Sequence, residues 1–420
     1  MMRSLFSGVS GLRNHQIRMD VIGNNIANVN TIGYKGSRVT FRDLLYQTMS
    51  GSAAPQGNRG GINPQQVGLG VAVGSIDVIQ TGGSSETTGQ NTDMMIEGDG
   101  FFVLQDGSRQ FYTRAGAFKL DFDGNLTSPS GLKVAGWMAN SGGVLPNLTA
   151  TNLQGIVIQK GMQMAPSATT TASFIGNLDS RTAALATFDT TLPVYDSLGN
   201  KYDVSIRFTK LNTPNEWNWE VTNPPWLVGA AKSRGSLAFD ALGVYTGTAT
   251  VDAARYTPAD ITGTPPGGAN LLTIPIASID FSGLRQYATE SGIDKSQNGY
   301  AQGSLNDFSV DATGVVTGLF SNGRNQPIAQ VAMAVFNNPG GLSRSGETLF
   351  EETNNSGLAQ IGSATTGGRG KITPGSVEMS NVDLSQEFTN MIVTQRGFQA
   401  NSRIITTSDE MLQELVNLKR

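Results

Sequence analysis

The chain of 420 residues contains 52 Gly, and only 15% of its residues are charged, with a net charge of −4 at neutral pH. It has no Cys and a single His, which excludes a site built from several imidazoles or thiolates and so most zinc chemistry, Cys nucleophiles and disulfide scaffolds. The net negative charge gives no electrostatic reason to bind nucleic acid or an anionic membrane. A length above about 250–300 residues predicts more than one domain.

The N-terminal segment predicts an amphipathic α-helix. Its apolar residues form a narrow stripe in which four members are spaced by seven, and the predicted contact residues are Leu5, Val9, Leu12, Met19, Ile22 and Ile26. The pattern stops at residues 31–33, where Gly33 can take the left-handed conformation that commonly ends a helix.

The C-terminal segment repeats this design. Its predicted contact residues, five of them spaced by seven, are Leu384, Phe388, Met391, Phe398, Ile405, Leu412 and Leu415. Asn381 or Asp383 is expected to cap this helix. Amphipathic helices commonly pack on a β core, but these narrow stripes are typical of coiled-coil seams, so we expect both helices to need partners. Two such helices buried only against each other would still leave apolar surface exposed, which predicts self-association.

The middle of the chain has the texture of β-structure. Apolar, β-branched runs at 70–79, 100–104, 202–208 and 329–336 predict strands, and turn signals such as Asp123-Gly124 fall between such runs. Two Gly-rich segments, 50–70 and 353–370, predict loops or linkers. The fold class is therefore mainly β and multi-domain, with nested discontinuous domains and α-helices at both ends.

Segment 145–285 is rich in Thr and Ala and predicts a separate β domain inserted in the first. It contains three of the four Trp, which are Trp217, Trp219 and Trp226. Trp217 and Trp219 lie on one face of a predicted strand, so we interpret them as core residues in preference to a sugar-stacking surface.

No catalytic or metal site emerges from the motifs. The glycines at 68, 70 and 74 precede a strand, where no helix N-terminus would meet a phosphate, and residues 121–125 lack the remaining ligands of a calcium loop. His15 lies within the predicted helix, far from any nucleophile elbow. The 33 Asp and Glu include no spacing that singles out a catalytic pair. The sequence predicts a protein that is not an enzyme, with no cofactor and no metal.

The start of the chain has no continuous apolar run of signal-peptide length, and no segment approaches the roughly 18 apolar residues of a membrane span. We therefore expect no direct membrane insertion, and either a cytosolic protein or one exported without a cleaved signal peptide.

The sequence resembles the rod and hook axial proteins of the bacterial flagellum over nearly its whole length. The collinear motifs that carry the resemblance are residues 24–38 (NNIANVNTIGYKGSR), 97–104, 112–118, 123–126 and 398–405. Residues 194–200, followed by Trp217 and Trp219, are similar to the outer domain of the hook members. Residues 279–284, 310–323 and 336–342 through 349–350 also resemble hook proteins.

The resemblance implies a structural subunit of the hook, a curved flexible tube that acts as a universal joint between rod and filament. It implies four parts: a helical coiled coil (1–30 with 385–420), a linker or hinge region (31–70 with 353–384), a first β domain (71–144 with 286–352) and an inserted outer β domain (145–285). The Gly-rich linkers are expected to act as hinges.

The implied partners are other copies of the chain, flagellar rod proteins, the hook cap, hook–filament junction proteins and the flagellar type III export apparatus. The implied location is the extracellular hook. The alternatives are a rod-type axial subunit or, from a different class, a secreted β-rich adhesin or glycan-active enzyme.

Overall fold

A computed structural model describes residues 2–55, 57, 59–223, 234–247, 261–263, 272–274 and 279–418. The chain divides into two compact units. Unit 1 comprises residues 1–159, 308–317 and 327–420, and unit 2 comprises residues 160–307 and 318–326. The predicted division into four parts stays a prediction. Trp226 lies outside the described residues.

Two long helices belong to unit 1: α1 (Met2–Ala27) and α2 (Leu384–Asn417). Asp383 caps the start of helix α2: its side chain accepts hydrogen bonds from the backbone N–H groups of Ser385 and Gln386, at 2.8 and 3.2 Å. Helix α1 ends at Ala27, earlier than expected, and the chain continues through turns to Gly33. Gly33 has the expected left-handed conformation, with φ of 69°.

Two short sheets of two strands each follow helix α1, and we call residues 37–78 the arm. Strand Ser37–Asp43 pairs antiparallel with strand Val71–Val78, and strand Tyr46–Ser50 pairs with strand Gln65–Gly68. The sequence predicts a loop or linker over residues 50–70, whereas residues 65–68 form a paired strand. The reason is that backbone pairing with residues 46–50, which are distant in sequence, supplies hydrogen bonds that a local Gly and Gln composition does not reveal.

The remaining strands of unit 1 form its β domain. Strand Phe101–Asp106 pairs with Lys133–Met138 on one side and Arg109–Thr113 on the other, and Leu349–Glu351 and then Ser343–Gly346 continue the sheet. The other strands are Ser85–Thr87, Met94–Glu97, Lys119–Leu120, Leu126–Thr127, Gln154–Gly155, Met333–Val335, Gln360–Gly362, Lys371–Pro374 and Ser376–Glu378, with 3-10 helices at Ala150–Asn152 and Pro339–Gly341. Three strands, Gly303–Val310, Val315–Phe320 and Asn325–Val331, have residues in both units.

The core of this β domain is aromatic. Phe101 makes edge-to-face contacts with Phe336 and Phe350, and Trp137 is fully buried in the same cluster. Segment 353–370, expected to be a loop or linker, contributes strand 360–362, which pairs with strand 333–335. This part of the segment is therefore attached to the sheet.

Unit 2 contains a five-stranded antiparallel sheet and a three-stranded sheet. The first consists, in order, of Thr187–Tyr195, Lys201–Lys210, Glu216–Asn223, Arg234–Phe239 and Tyr245–Gly247, and the second places Ala172–Asn177 between Ile279–Arg285 and Gly292–Gln297. Short strands lie at Gln163–Met164, Ile261–Gly263 and Leu272–Ile274. Trp217 and Trp219 are buried in the core cluster of this unit, which confirms their interpretation as core residues.

Candidate assembly site

The two terminal helices pack against each other in antiparallel orientation. Gly11 lies against Asn401, and Gly397 lies against His15, so residue numbers rise along one helix as they fall along the other. A Cβ atom built on Gly11 would be 2.5 Å from Nδ2 of Asn401, and one on Gly397 would be 2.7 Å from Cε1 of His15. Each contact places a side chain of one helix directly against the backbone of the other, where a Cβ atom would collide with it. The expected pairing of the terminal helices is confirmed.

The structure places the predicted contact residues at three levels of burial. Ile22 is buried, and the residues that are half-buried are Leu5, Leu12, Met19, Ile26, Met391, Phe398, Ile405 and Leu412. Val9, Leu384 and Phe388 are exposed, and the side chain of Leu415 is outside the described residues. The half-buried set includes every heptad-spaced residue of the two stripes except Leu384. Their role in assembly between subunits stays a prediction.

The helices also carry exposed apolar side chains that the sequence reasoning missed. Outside the predicted set, these are Phe6, Ile392, Val393, Ile404, Met411, Val416 and Leu418. They lie outside the two predicted stripes, although Ile404, Met411 and Leu418 are themselves spaced by seven, so a search for a single narrow stripe on each helix passes over them. A wider count of apolar residues at 3- and 4-residue steps would have detected part of this surface. An apolar surface of this kind is typical of a protein that associates with further copies or with partners.

The segment 24–38, whose motif carries the resemblance, forms a buried ion-pair cluster. The Lys35 ammonium lies 2.6 Å from Oε1 of Glu378, and both side chains are fully buried. Arg114 approaches the second carboxylate oxygen of Glu378 at 3.4 Å. Since Glu378 also accepts the backbone N–H of Gly83 at 2.8 Å, the buried carboxylate is well satisfied.

This cluster joins three distant parts of the chain: the segment after α1, the β domain and the segment before α2. The backbone N–H of Gly33 donates to the carbonyl of Glu378 at 2.7 Å. Burial lowers the pKa of the Lys35 ammonium, and the hydrogen bond and charge of Glu378 offset part of that effect. Sequence reasoning identified the motif around Lys35 but not Glu378, because no local pattern marks an acidic residue 343 positions away as its partner.

Asparagine side chains make the other connections of this segment. Asn25 of α1 accepts from the backbone N–H of Ser37 and donates to its carbonyl, at 2.9 and 2.8 Å. Asn381, which was an expected helix cap, instead accepts from the backbone N–H of Gly36 and donates to the carbonyl of Ile79. Both amides replace backbone partners that the chain leaves open as it turns from helix into arm.

A cavity of about 650 Å³ lies in unit 1 beside the same segment. Its wall includes Tyr34, Arg344 and Phe350, and Glu347 is the one carboxylate among the residues that line it. Glycoside hydrolysis by the usual route needs two carboxylates flanking the scissile bond. The residues that line this cavity therefore do not supply that pair.

Among the described residues, no group of three or more His, Asp or Glu side chains is arranged to hold a metal ion. Within that same part of the chain, neither long helix combines the length and apolar character needed to cross a membrane.

Comparison with known proteins shows similarity to flagellar hook proteins over the full length. The chain is 42% identical to the flagellar hook protein FlgE of Borreliella burgdorferi and 42% identical to that of Treponema pallidum, and each alignment covers 100% of both chains. The chain belongs to the flagellar hook protein family.

Four family models match successive parts of this hook-family chain. They are described as flagella basal body rod protein (residues 5–35), flagellar hook protein FlgE/F/G D1 domain (95–171), flagellar basal body protein FlaE D2 domain (163–300) and flagellar basal body rod FlgEFG protein C-terminal (373–418). The first includes Lys35 and the last includes Glu378, so the buried ion pair joins the two terminal family regions.

A solved structure shares the fold. The crystal structure of Helicobacter pylori flagellar hook protein FlgE2 matches with a TM-score of 0.50 and 16% identity, and the match covers 68% of this chain and 98% of that one. The mainly β, multi-domain class with terminal helices is the fold of the hook family.

Proposed function

We propose that this chain is the structural subunit of a bacterial flagellar hook and that it assembles with copies of itself into a curved, flexible tube that transmits torque. The observation that carries the proposal is its full-length similarity to proteins named flagellar hook protein. The paired terminal helices support it, since they keep apolar side chains exposed in the single chain.

In the assembled tube, the terminal helical part (1–30 with 385–420) lines the central channel. The first β domain (71–144 with 286–352) forms the wall, and the inserted domain (145–285) lies outside. A repeated contact between different surfaces of neighbouring copies is what an open helical polymer requires. The exposed side chains Phe6, Phe388 and Val393 supply such surface on the helices.

Bending is assigned to the Gly-rich segments 50–70 and 353–370. A subunit in a rotating curved tube changes its length along the tube axis, so rigid β domains must shift while the helices stay paired. Segment 353–370 is held to the sheet by strand 360–362, which pairs with strand 333–335, and by the backbone N–H of Gly370, which donates to the carbonyl of Asp99 at 2.7 Å. We therefore expect segment 50–70 to contribute more of the movement.

The proposal includes partners and location. The chain is exported through the flagellar type III apparatus without cleavage of a signal peptide, and it meets rod, cap and hook–filament junction proteins in the extracellular part of the flagellum. Its role is structural, with no catalytic step and no cofactor.

Electron microscopy of the purified chain under polymerising conditions tests the proposal. We expect short curved tubes. Straight rods would instead favour a rod-type axial subunit, a second candidate that the match of residues 5–35 to the basal body rod model supports. A chain that stays monomeric at high concentration, with both helices intact, would contradict both.

A further inference from the structure

His15 lies where three elements of unit 1 meet. On α2, Gly397 leaves room for the imidazole, and on the arm, the ring of Phe41 contacts it edge-to-face with centroids 5.9 Å apart. Arg18, about one helical turn further along α1, places its guanidinium 6.0 Å from the centroid of the same Phe41 ring. The single His of the chain thus contacts the helix pair and the arm together.

The surroundings of this imidazole suit its neutral form. Its Nδ1 atom is buried and has no hydrogen-bond partner among the described residues. Protonation would add a second N–H donor with no acceptor, and a positive charge close to Arg18. Burial and then the charge of Arg18 lower the pKa of His15 below its ordinary value of 6.5.

We propose that His15 is a proton-sensitive latch: when neutral it holds α1 against α2 and the arm, and when protonated it releases them. His is the side chain whose charge changes between about pH 5 and 8, so the latch responds to mild acidification. The proposal concerns contacts within one chain and does not depend on the proposed function.

The sign of the effect follows from the proton balance. Because the pKa is lowered in the packed state, the released state binds the proton more tightly, so acidification favours release. The equilibrium begins to shift toward release as the pH falls through about 6.5, the ordinary pKa of His. It stops shifting below the pKa that His15 has in the packed state. Between those two values the equilibrium constant for release rises about tenfold per pH unit.

Charged groups on the elements around His15 also affect how the packing responds to pH. Arg18 is the charged group that acts on His15 from α1, and the arm and α2 present the uncharged Phe41 and Gly397. Nearer the start of α2, burial raises the pKa of the Glu387 carboxyl. Protonation of Glu387 therefore favours packing and opposes the release that protonation of His15 causes. Glu387→Gln removes this opposing titration.

The direct test is a titration of the imidazole by NMR in the full-length chain, where one His gives one set of ring signals. We expect a pKa below 6.5. A pKa at or above 6.5 in the packed state overturns the proposal. This measurement needs no substitution, so it stays decisive if a His15 variant folds poorly.

The functional test measures separation of the helices. The chain has no Cys, so spin labels attach only where a Cys is introduced. We choose Gln16→Cys on α1 and Gln395→Cys on α2, because both positions are exposed. The distance distribution should broaden as pH falls from 7.5 to 5, and His15→Gln should abolish this response while Glu387→Gln retains it. A response unchanged by His15→Gln contradicts the latch.

Discussion

Lys35 and Glu378 are 343 positions apart in sequence, yet their charged groups lie 2.6 Å apart and both side chains are fully buried. The pair fixes the segment that follows the first helix to the segment that precedes the second. Arg114 from the β domain completes the cluster. One buried carboxylate thus links the segments next to both terminal helices with the β domain.

Glu378→Gln should strongly destabilise unit 1. The substitution leaves the buried Lys35 and Arg114 cations without their carboxylate, a change that costs about 3–5 kcal/mol in comparable buried pairs. Urea denaturation followed by circular dichroism measures the loss. Glu351→Gln is the matched control, since Glu351 pairs at 3.1 Å with an exposed Arg109 and should change stability by less than about 1 kcal/mol. Equal effects of the two variants would contradict the importance of the buried cluster.

Two Gly→Ala substitutions in the helices should have opposite effects. At Gly397 the added methyl group meets the His15 ring, whereas at Gly23 it meets nothing within 4 Å. Gly397→Ala should therefore loosen the helix pair, and Gly23→Ala should stabilise it by about 0.5–1 kcal/mol through helix propensity. Limited proteolysis of the terminal segments measures both. Faster cleavage of Gly23→Ala than of the parent chain would be inconsistent with this packing.

Ile405→Asp should block polymerisation and leave the β domains folded. Ile405 is half-buried on the heptad-spaced stripe and its side chain lies beside Gly8 of α1, so a charge there disrupts the helical layer. Met19→Asp should behave in the same way. Sedimentation and electron microscopy measure assembly, and circular dichroism reports the folded β-structure.

The control for these variants is Gln399→Glu, which adds a charge at an exposed polar position of α2. It should assemble as the parent chain does. If Ile405→Asp and Gln399→Glu both formed tubes, the stripe would not be an assembly surface.

Asp196 should make the stability of unit 2 sensitive to acid. Burial raises its pKa, but hydrogen bonds from Asn200, Leu198 and Tyr202 outweigh that effect, and the pKa is lowered overall. The charge of Asp196 therefore stabilises folded unit 2 above the ordinary Asp pKa near 3.9. This contribution is lost as the pH falls through the lower pKa that Asp196 has in the folded protein.

Denaturation of the parent chain and of Asp196→Asn between pH 2 and 5 measures this contribution. The asparagine variant keeps the size of the side chain but has no charge to lose. The difference in stability between the two proteins should therefore shrink as the pH falls. A difference that stays constant over this range would contradict the assignment to Asp196.

Much of the local structure follows from the sequence. Heptad-spaced apolar residues determine both terminal helices, because a helix returns side chains to one face at that interval. Alternating strands such as residues 202–208 and the turn at Gly124, with φ of 82°, follow from side-chain period and glycine conformation. The side-chain period also predicts that Trp217 and Trp219 lie in a core.

The tertiary structure decided the relationships between distant residues. In the folded chain Glu378 pairs with Lys35, Gly11 contacts Asn401, and part of the predicted linker 50–70 forms a paired strand. It also decided which apolar side chains of the helices stay exposed. The physical reason is that burial, charge pairing and strand pairing depend on which segments meet in space, whereas periodicity and turn chemistry depend only on neighbours along the chain.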